Sequence, residues 1–475
     1  MTRPDTDIPS ARRVVLIGGG YTGTALAIHL MRAAEAPLML TVIDPSDRLG
    51  RGIAYGATDP EHRINVPSDR MSLFGDDPNH ATRWLHENGI LPDAGSTDEQ
   101  GHHYVARANY GSYVEAMLAD AIVASAPRVA FVHERARATG IAAEGPGWSV
   151  FLTDGRTVAA DTVMLCFGHA PPALPCRVAA AARQARGFVE NPWAPDAYGA
   201  IGQDDDVLIV GTGLTMADAV ASLTRRKHRG SVTAISRRGL LPQAHGAFTE
   251  GVDVLDGQPP PRTARALLRL VRARIAARGP VEDWHPTVDA LRAKLPEMWA
   301  ILPDGEKRKV VRRLLPFWEV HRFRIAPQIH ALIAAARREE RLAIEAAALA
   351  GLDHDGSRFR ATLRRGSGAL EQRSFDAVVL CTGPNKNPSR HPVVATLLDG
   401  GLAQLDTIGM GIRVDTDFRV VDPAGRPHPG LLAIGPTVRG SFGEMTGAPD
   451  ITRHIERITP MIAGGVASGG SPKGR

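Results

Sequence analysis

Two strand, glycine-turn and helix units, one opening at Arg13 and the other at Asp206, and a basic helical stretch from Pro261 to Ala334 between returning strands, predict an α/β fold. The expected architecture is two Rossmann-like dinucleotide-binding domains, the second inserted in the first and carrying a helical lid insertion. The expected boundaries are 1–200 for the first part of the outer domain, 201–372 for the inner domain with insertion 261–334, and 373–464 for the outer domain's return. The Gly/Ser/Pro-rich tail 465–475 is expected to be disordered. A length of 475 residues suits this division, since domains run to roughly 150 residues each.

Each element follows from its residues. Arg13 to Ile17 is a short β-branched run that breaks at Gly18, and an alanine-rich helical stretch follows from about Thr22 to Ala34. Leu38 to Ile43 ends at Asp44 and completes a βαβ unit. From Gly50 to Asn109 the chain is rich in Gly, Pro, Asp and His and reads as loops over one end of the sheet. Residues 128 to 165 alternate strand-like runs around a turn at Asp154-Gly155 and exit through Cys166-Phe167-Gly168. Asp206 to Val210, the turn at Gly211 and the helix Met216 to Leu223 restart the pattern. Ala377 to Cys381 ahead of Thr382-Gly383 repeats the strand-to-glycine exit of Val163 to Gly168, a partial internal repeat. Leu431 to Ile434 closes at Gly435-Pro436, and a helix runs from about Pro449 to Ile462.

Composition narrows the function. Hydrophobic residues are 43% and charged residues 23%, the range of a folded globular protein. The net charge of +5 is too mild for a nucleic-acid binder and suits an anionic ligand. No apolar run reaches the roughly 18 residues of a membrane span, and the polar N-terminus lacks a signal-peptide core, so the expected location is cytoplasmic with no membrane partner. Cys166, Cys176 and Cys381 form neither a C-x-x-C pair nor a metal-ligand spacing, and no metal is expected.

Gly18, Gly20 and Gly23 form G-x-G-x-x-G between a strand and a helix, where backbone N–H groups face a pyrophosphate. Asp44, about 20 residues further on, is placed to accept from a ribose 2′-OH. In the second turn Gly211 and Gly213 are present, but Met216 takes the third glycine's place, which predicts looser packing of helix on strand. The following strand ends in Ser236-Arg237-Arg238 with no acid, a set that suits a 2′-phosphate and hence NADP, unless both arginines are solvated surface. One site for a free 2′-OH and one for a 2′-phosphate imply FAD and NADPH in separate domains, with hydride passing between them.

The motifs GGGYTG, GTGLTM, SRRG, LCTGP and LLAIGP, with Asp44, resemble those of the two-dinucleotide-domain flavoproteins, which include flavin-containing and N-hydroxylating monooxygenases. GRGIAYG (50–56), HRINVPSDRMSLF (62–74), the run from Arg107 to Tyr113 and ENPW (190–193) resemble a narrower bacterial FAD/NAD(P)-binding family with urate hydroxylases and nitrosuccinate-forming, aspartate-oxidising members. The resemblance implies that Tyr21, Thr22, Gly52, Tyr55, Val66, Met71, Ala136, Gly168, Gly435, Pro436, Met445 and Thr446 join the glycines and Asp44 around FAD. It further implies that Leu214, Thr215, Thr382 and Gly383 join the second turn around NADPH. Asn65 is the catalytic candidate, aimed at the flavin edge, the nicotinamide amide or a flavin peroxide, with an Asx turn ahead of Pro67 as the alternative. The helix from Pro449 should point its N-terminus at the flavin pyrimidine. Arg292, Arg324 and Arg439 are the substrate candidates, and the insertion's tryptophans and arginines serve otherwise as core and solvated face.

Two departures limit the resemblance. The F-x-G-x-x-x-H fingerprint is missing, since Phe167-Gly168 is followed by His169-Ala170-Pro171, and Gly435-Pro436 stands where many relatives have Gly-Asp. The implied activity is an NADPH-dependent FAD monooxygenase that forms a C4a-(hydro)peroxyflavin and oxygenates a small polar substrate with O2. N-oxygenation of a carboxylate-bearing amine such as aspartate comes first, urate-type ring hydroxylation second. An NADPH:acceptor oxidoreductase and a flavin-bearing redox sensor or scaffold stay open, as does assembly as a homodimer.

Overall fold

The structure is a computed structural model that describes residues 11–168, 170, 172–246, 252–278, 284–385 and 387–464. The tail 465–475, with His169 and Pro171 of the altered fingerprint, lies outside the described residues.

The chain begins with the parallel strands Arg12–Ile17 and Leu38–Ile43, joined through the helix Tyr21–Ala33. Their sheet runs in the order Arg419–Val421, Pro427–Ala433, Thr162–Leu165, Arg12–Ile17, Leu38–Ile43, Val129–Glu134, and only the Arg419–Val421 edge is antiparallel. The buried stretches of its central strands, residues 14–17 and 163–165, are apolar on both faces because helices cover the sheet. The helix Tyr21–Ala33 is buried along almost its whole length, between the sheet and two further helices, Arg107–Ser125 and Ala448–Ala463. Ile451, Ile455, Ile458 and Ile462 give the last helix one apolar stripe, while Arg453, Arg457 and Glu456 face outward or to the side. An antiparallel meander, Ala138–Glu144, Gly147–Leu152 and Thr157–Ala160, packs beside the strands Arg12–Ile17 and Thr162–Leu165.

The second sheet is built on Val207–Val210, flanked in parallel by Val232–Ser236 and Ala377–Leu380. Leu342–His354 pairs in parallel with Val232–Ser236, and its later half pairs antiparallel with Phe359–Arg365, which pairs in turn with Leu370–Phe375 in the same sheet. Phe188–Val189 completes the opposite edge. The sheets exchange the chain earlier and later than the expected 200/201 and 372/373 boundaries. Arg177–Val178 and Phe188–Val189 already pair in the second sheet, and Ala377–Leu380 still does. The repeated strand-to-glycine exits belong to different sheets, and each sheet keeps its own copy.

Between Val232–Ser236 and Leu342–His354 come the helices Ala264–Ala276, His285–Ile301, Asp304–Lys309, a π turn Val310–Leu314, Leu315–Arg322 and Pro327–Arg338. Pro327–Arg338 packs on Leu214–Arg225 and is the crossover helix of the sheet itself. The preceding helices reach the first unit, where Trp299 Nε1 donates to Gly440 O at 2.7 Å. The 50–109 stretch contains more helix than its composition suggests: Gly52–Tyr55, Ser68–Arg70 and His80–Glu87 precede the long helix from Arg107. No described helix is long and apolar enough to cross a membrane.

Candidate functional site

The carboxyl ends of both sheets open on one cavity of about 2080 Å³, the location that open α/β sheets favour for ligands. Its walls come from three sources: the first turn and the loops beside it, the second turn, and the helical insertion.

At the first turn Gly18 has φ +105°, and a Cβ there would come within 2.8 Å of the Phe167 backbone. A Cβ on Gly23 would lie 1.9 Å from Gly18 O, so the helix sits too close to the strand end for any side chain. Gly20 begins the helix Tyr21–Ala33 with no side-chain cap and no acid in the first turn, leaving N–H groups for an anion. Asp44 accepts from Gly19 N at 2.7 Å and from Ser46 N at 2.9 Å, which fixes its carboxylate on the cavity wall. Gly52 packs against Gly20, and the Tyr55 ring lies 5.7 Å from that of Tyr21. Tyr21 and Thr22 line the cavity with Val66, Met71, Ala136 and Gly168. Gly435, at φ +94°, packs on Thr22, with Pro436 and Thr446 on the wall and Met445 fully buried behind it.

The second turn is built on the same plan with different chemistry. Gly211 has φ +122°, and a Cβ there would lie 2.0 Å from Cys381 O. Gly213 begins the helix Leu214–Arg225, again without a side-chain cap or first-turn acid, and has open space where a Cβ would be. Leu214, Thr215 and Gly383 line the cavity, and Thr382 lies in the exit beside Gly383. Met216 is fully buried in the core of this unit. Thr212 Oγ1 lies 2.8 Å from Ser236 Oγ, which ties the turn to the end of the next strand. Arg237 and Arg238 follow there, exposed and outside the cavity lining, with Arg238 5.5 Å from the Phe317 ring centre.

Asn65 lines the cavity, half-buried. An Asx turn is closed to it, because the N–H two residues on would be that of Pro67, which has none. The Asn65 carbonyl instead accepts from His245 Nε2 at 2.7 Å. Burial, the largest influence, brings the His245 pKa down to about 4, so the imidazole is neutral near pH 7 with its proton on Nε2.

The expected substrate arginines are internally paired. Arg292 and the fully enclosed Arg322 share Asp450 Oδ2 at 2.5 and 2.8 Å, and Arg322 Nε is 3.7 Å from Glu444. Burial alone would raise the Asp450 carboxyl, but Arg292 and Arg322 hold it below its ordinary value. Arg324 forks onto Asp289 at 2.9 and 3.1 Å. Arg292, Arg322, Arg324 and Asp450 line the cavity; Arg439 does not. It is buried beside Glu319, 3.2 Å away, and the Phe323 ring, because the short helix Arg439–Phe442 turns it toward the insertion. The helix Ala448–Ala463 does present its N-terminus to the cavity through Thr446, Gly447 and Ala448.

Residues 15–170 match the family model described as FAD-NAD(P)-binding. That segment is an FAD/NAD(P)-binding domain. The chain is also 28% identical, over a 300-residue alignment, to the L-aspartate N-monooxygenase (nitrosuccinate-forming) of Streptomyces cremeus. That alignment covers 51% of this chain and 45% of the relative, so the match spans about half of each. Among solved structures, the ornithine N-hydroxylase of Kutzneria sp. 744 has a TM-score of 0.64 at 17% identity, covering 95% of this chain and 99% of that one. The ornithine hydroxylase of Pseudomonas aeruginosa has a TM-score of 0.61 at 15% identity, covering 96% and 99%. The chain therefore shares its fold with these two hydroxylases.

Around this FAD/NAD(P)-binding domain, His245, Arg322, Asp450 and Asp218 are among the cavity residues that sequence reasoning did not select. Asp450 carried a usable signal: an acid in the first turn of a helix that follows Gly-Ala-Pro, where it would ordinarily be read as complementing the helix dipole. His245 carried none, since its partner is a backbone carbonyl 180 residues away in the chain.

Proposed function

We propose that the protein is an FAD- and NADPH-dependent monooxygenase that N-oxygenates a small carboxylate-bearing amine, with aspartate, oxidised toward nitrosuccinate, as the first choice. The observation that carries the proposal is that both glycine turns open on a single cavity whose remaining wall is the arginine-bearing insertion. The first turn's N–H groups would hold the FAD pyrophosphate and Asp44 its ribose; the second turn would hold the NADPH pyrophosphate, with Ser236, Arg237 and Arg238 toward its 2′-phosphate. When bound and reduced by NADPH, FAD supplies the two electrons that let one atom of O2 enter the substrate while the other leaves as water.

This chain's own residues would bind, orient and shield. Asn65 lines the cavity, and its amide, free of an Asx turn, would hydrogen-bond the flavin edge or the nicotinamide amide. Arg292 and Arg322, held by Asp450, keep two guanidinium groups at one wall, where a substrate carboxylate would find fork-shaped donors already desolvated. The helices bearing them line the cavity and would limit the access of water to it. A requirement for NADPH would suit a cytoplasmic reaction, with a small molecule and O2 as partners. The relative's aspartate activity supports the choice of substrate class.

The test is to load the protein with FAD, reduce it anaerobically with NADPH and admit oxygen, recording NADPH consumed, hydrogen peroxide released and products by mass spectrometry. Aspartate is expected to speed NADPH oxidation, lower peroxide per NADPH and yield N-oxygenated product. Reduction by NADPH with no response to aspartate or other amino acids would reject the amine reading. Urate consumption in its place would establish ring hydroxylation, and full peroxide release with every candidate would establish an NADPH:acceptor oxidoreductase.

A further inference from the structure

The helix Leu214–Arg225 has a second role beyond presenting the second turn. Asp218, Ser222 and Arg225 stand at i, i+4 and i+7, on one face of that helix. All three hold the first unit's 59–66 loop, directly or through one residue. Ser222 Oγ donates to Asp59 Oδ2 at 2.7 Å and, its one proton spent, accepts from His62 Nε2 at 2.9 Å. Arg225 forks onto both oxygens of Asp59 at 3.1 Å each. Asp218 pairs with Arg107 at 2.9 Å, and Arg107 Nε donates to Arg63 O at 2.9 Å. Arg107 N donates to His62 O at 2.7 Å. At the far end of the same loop, His245 of the second unit holds Asn65 O.

Asp218, Ser222, His62 and Arg107 are all buried, so these contacts are not competing with bulk water. The loop so gripped ends in Asn65 and Val66, which line the cavity on the first unit's side. A single rigid helix thus has the second turn at its N-terminus and the flavin-side loop on its flank.

We infer that the Asp218, Ser222 and Arg225 stripe couples the two nucleotide sites: a nicotinamide dinucleotide bound at the helix N-terminus fixes the 59–66 loop and tightens FAD, and FAD tightens the nicotinamide dinucleotide equally. The inference rests on the assignment of the two turns to FAD and NADPH made above. Reciprocity is required of any such coupling, which typically amounts to about fivefold or more in affinity. The three side chains are positioning residues: Asp218 also lines the cavity, while Ser222 and Arg225 lie outside its lining and act through the loop they hold.

The experiment is titration of the FAD-free full chain with FAD, followed by flavin fluorescence, with and without saturating NADP⁺. The unaltered protein is expected to bind FAD about fivefold or more tightly with NADP⁺ present. In Ser222→Ala and Arg225→Ala the ratio should fall toward one, while FAD affinity without NADP⁺ stays within about twofold; Arg225→Lys should restore part of the ratio. Arg225 is half-exposed, so its truncation leaves the fold intact and keeps the test open if Ser222→Ala is unstable. A ratio of one in the unaltered protein, or an unchanged ratio in both alanine variants, overturns the coupling while leaving the nucleotide assignment standing. Failure of the unaltered protein to bind either nucleotide overturns both.

Discussion

The two glycine turns share a backbone plan and differ in what stands behind it. In the first, Gly23 is obligatory because Gly18 O occupies the space of its Cβ, and an acid, Asp44, closes the turn from the next strand. In the second, Met216 holds the equivalent place and puts its side chain into the core, and the next strand ends in Ser236 and two exposed arginines. A turn that must bring helix and strand into backbone contact leaves no choice of residue, whereas one without that contact at the third position uses it for packing. The difference separates a shared task, presenting N–H groups to a diphosphate, from the selection of what lies beyond that diphosphate.

The comparison breaks most sharply at Gly23. Gly23→Ala should push the helix off the strand and weaken FAD by about a hundredfold, since strain of roughly 3 kcal/mol at tenfold per 1.4 kcal/mol gives that order; flavin absorbance of the purified protein reads it. Met216→Ala should instead cost about 2–5 kcal/mol of stability through a core cavity, seen by denaturant unfolding, with NADPH affinity less affected. Equal effects on nucleotide binding at the two positions would erase the distinction.

A third helix N-terminus sharpens the contrast, because Ala448–Ala463 carries the acid that both turns lack. Asp450→Asn should leave Arg292 and Arg322 buried without their shared carboxylate and lower stability by about 3–5 kcal/mol. Because the folded pKa of Asp450 is depressed, its contribution is present above the unfolded carboxylate range and is lost as pH falls through the folded value. The variant should therefore show a weaker loss of melting temperature below about pH 4.

Selectivity should divide the same way. Arg238→Ala, and more so its combination with Arg237→Ala, should cut the NADPH-over-NADH ratio of kcat/KM by about tenfold, corresponding to one charged hydrogen-bonding group. FAD content should not change. An unchanged ratio would make both arginines solvated surface.

The smallest effect concerns the bridge between the two units. His245 has a folded pKa of about 4 against an unfolded value near 6.5, so the unfolded chain takes up the proton first and stability falls as pH drops from about 6.5 toward 4. Replacing it by Gln, which keeps a donor for Asn65 O, should flatten part of that slope in melting temperature. His391 and His454, also brought by burial to about 4, should retain the rest.

The sequence by itself determined the strands, the helices that follow the turns, the glycines whose conformations only glycine tolerates and the change of chemistry from Asp44 to Ser236-Arg237-Arg238, because these depend on neighbours within one βαβ unit. It also marked the insertion, by its helical period and charge. Only the tertiary structure decided which sheet Phe188–Val189 and Ala377–Leu380 join, since a short apolar strand pairs equally well with either until the rest of the core is packed. It likewise decided that Arg292 and Arg322 share one carboxylate, that Arg439 turns away from the cavity, and that Asn65 is held by His245. Those contacts join residues more than a hundred positions apart, and a guanidinium or an imidazole looks the same in sequence whether it faces water, a partner or a substrate.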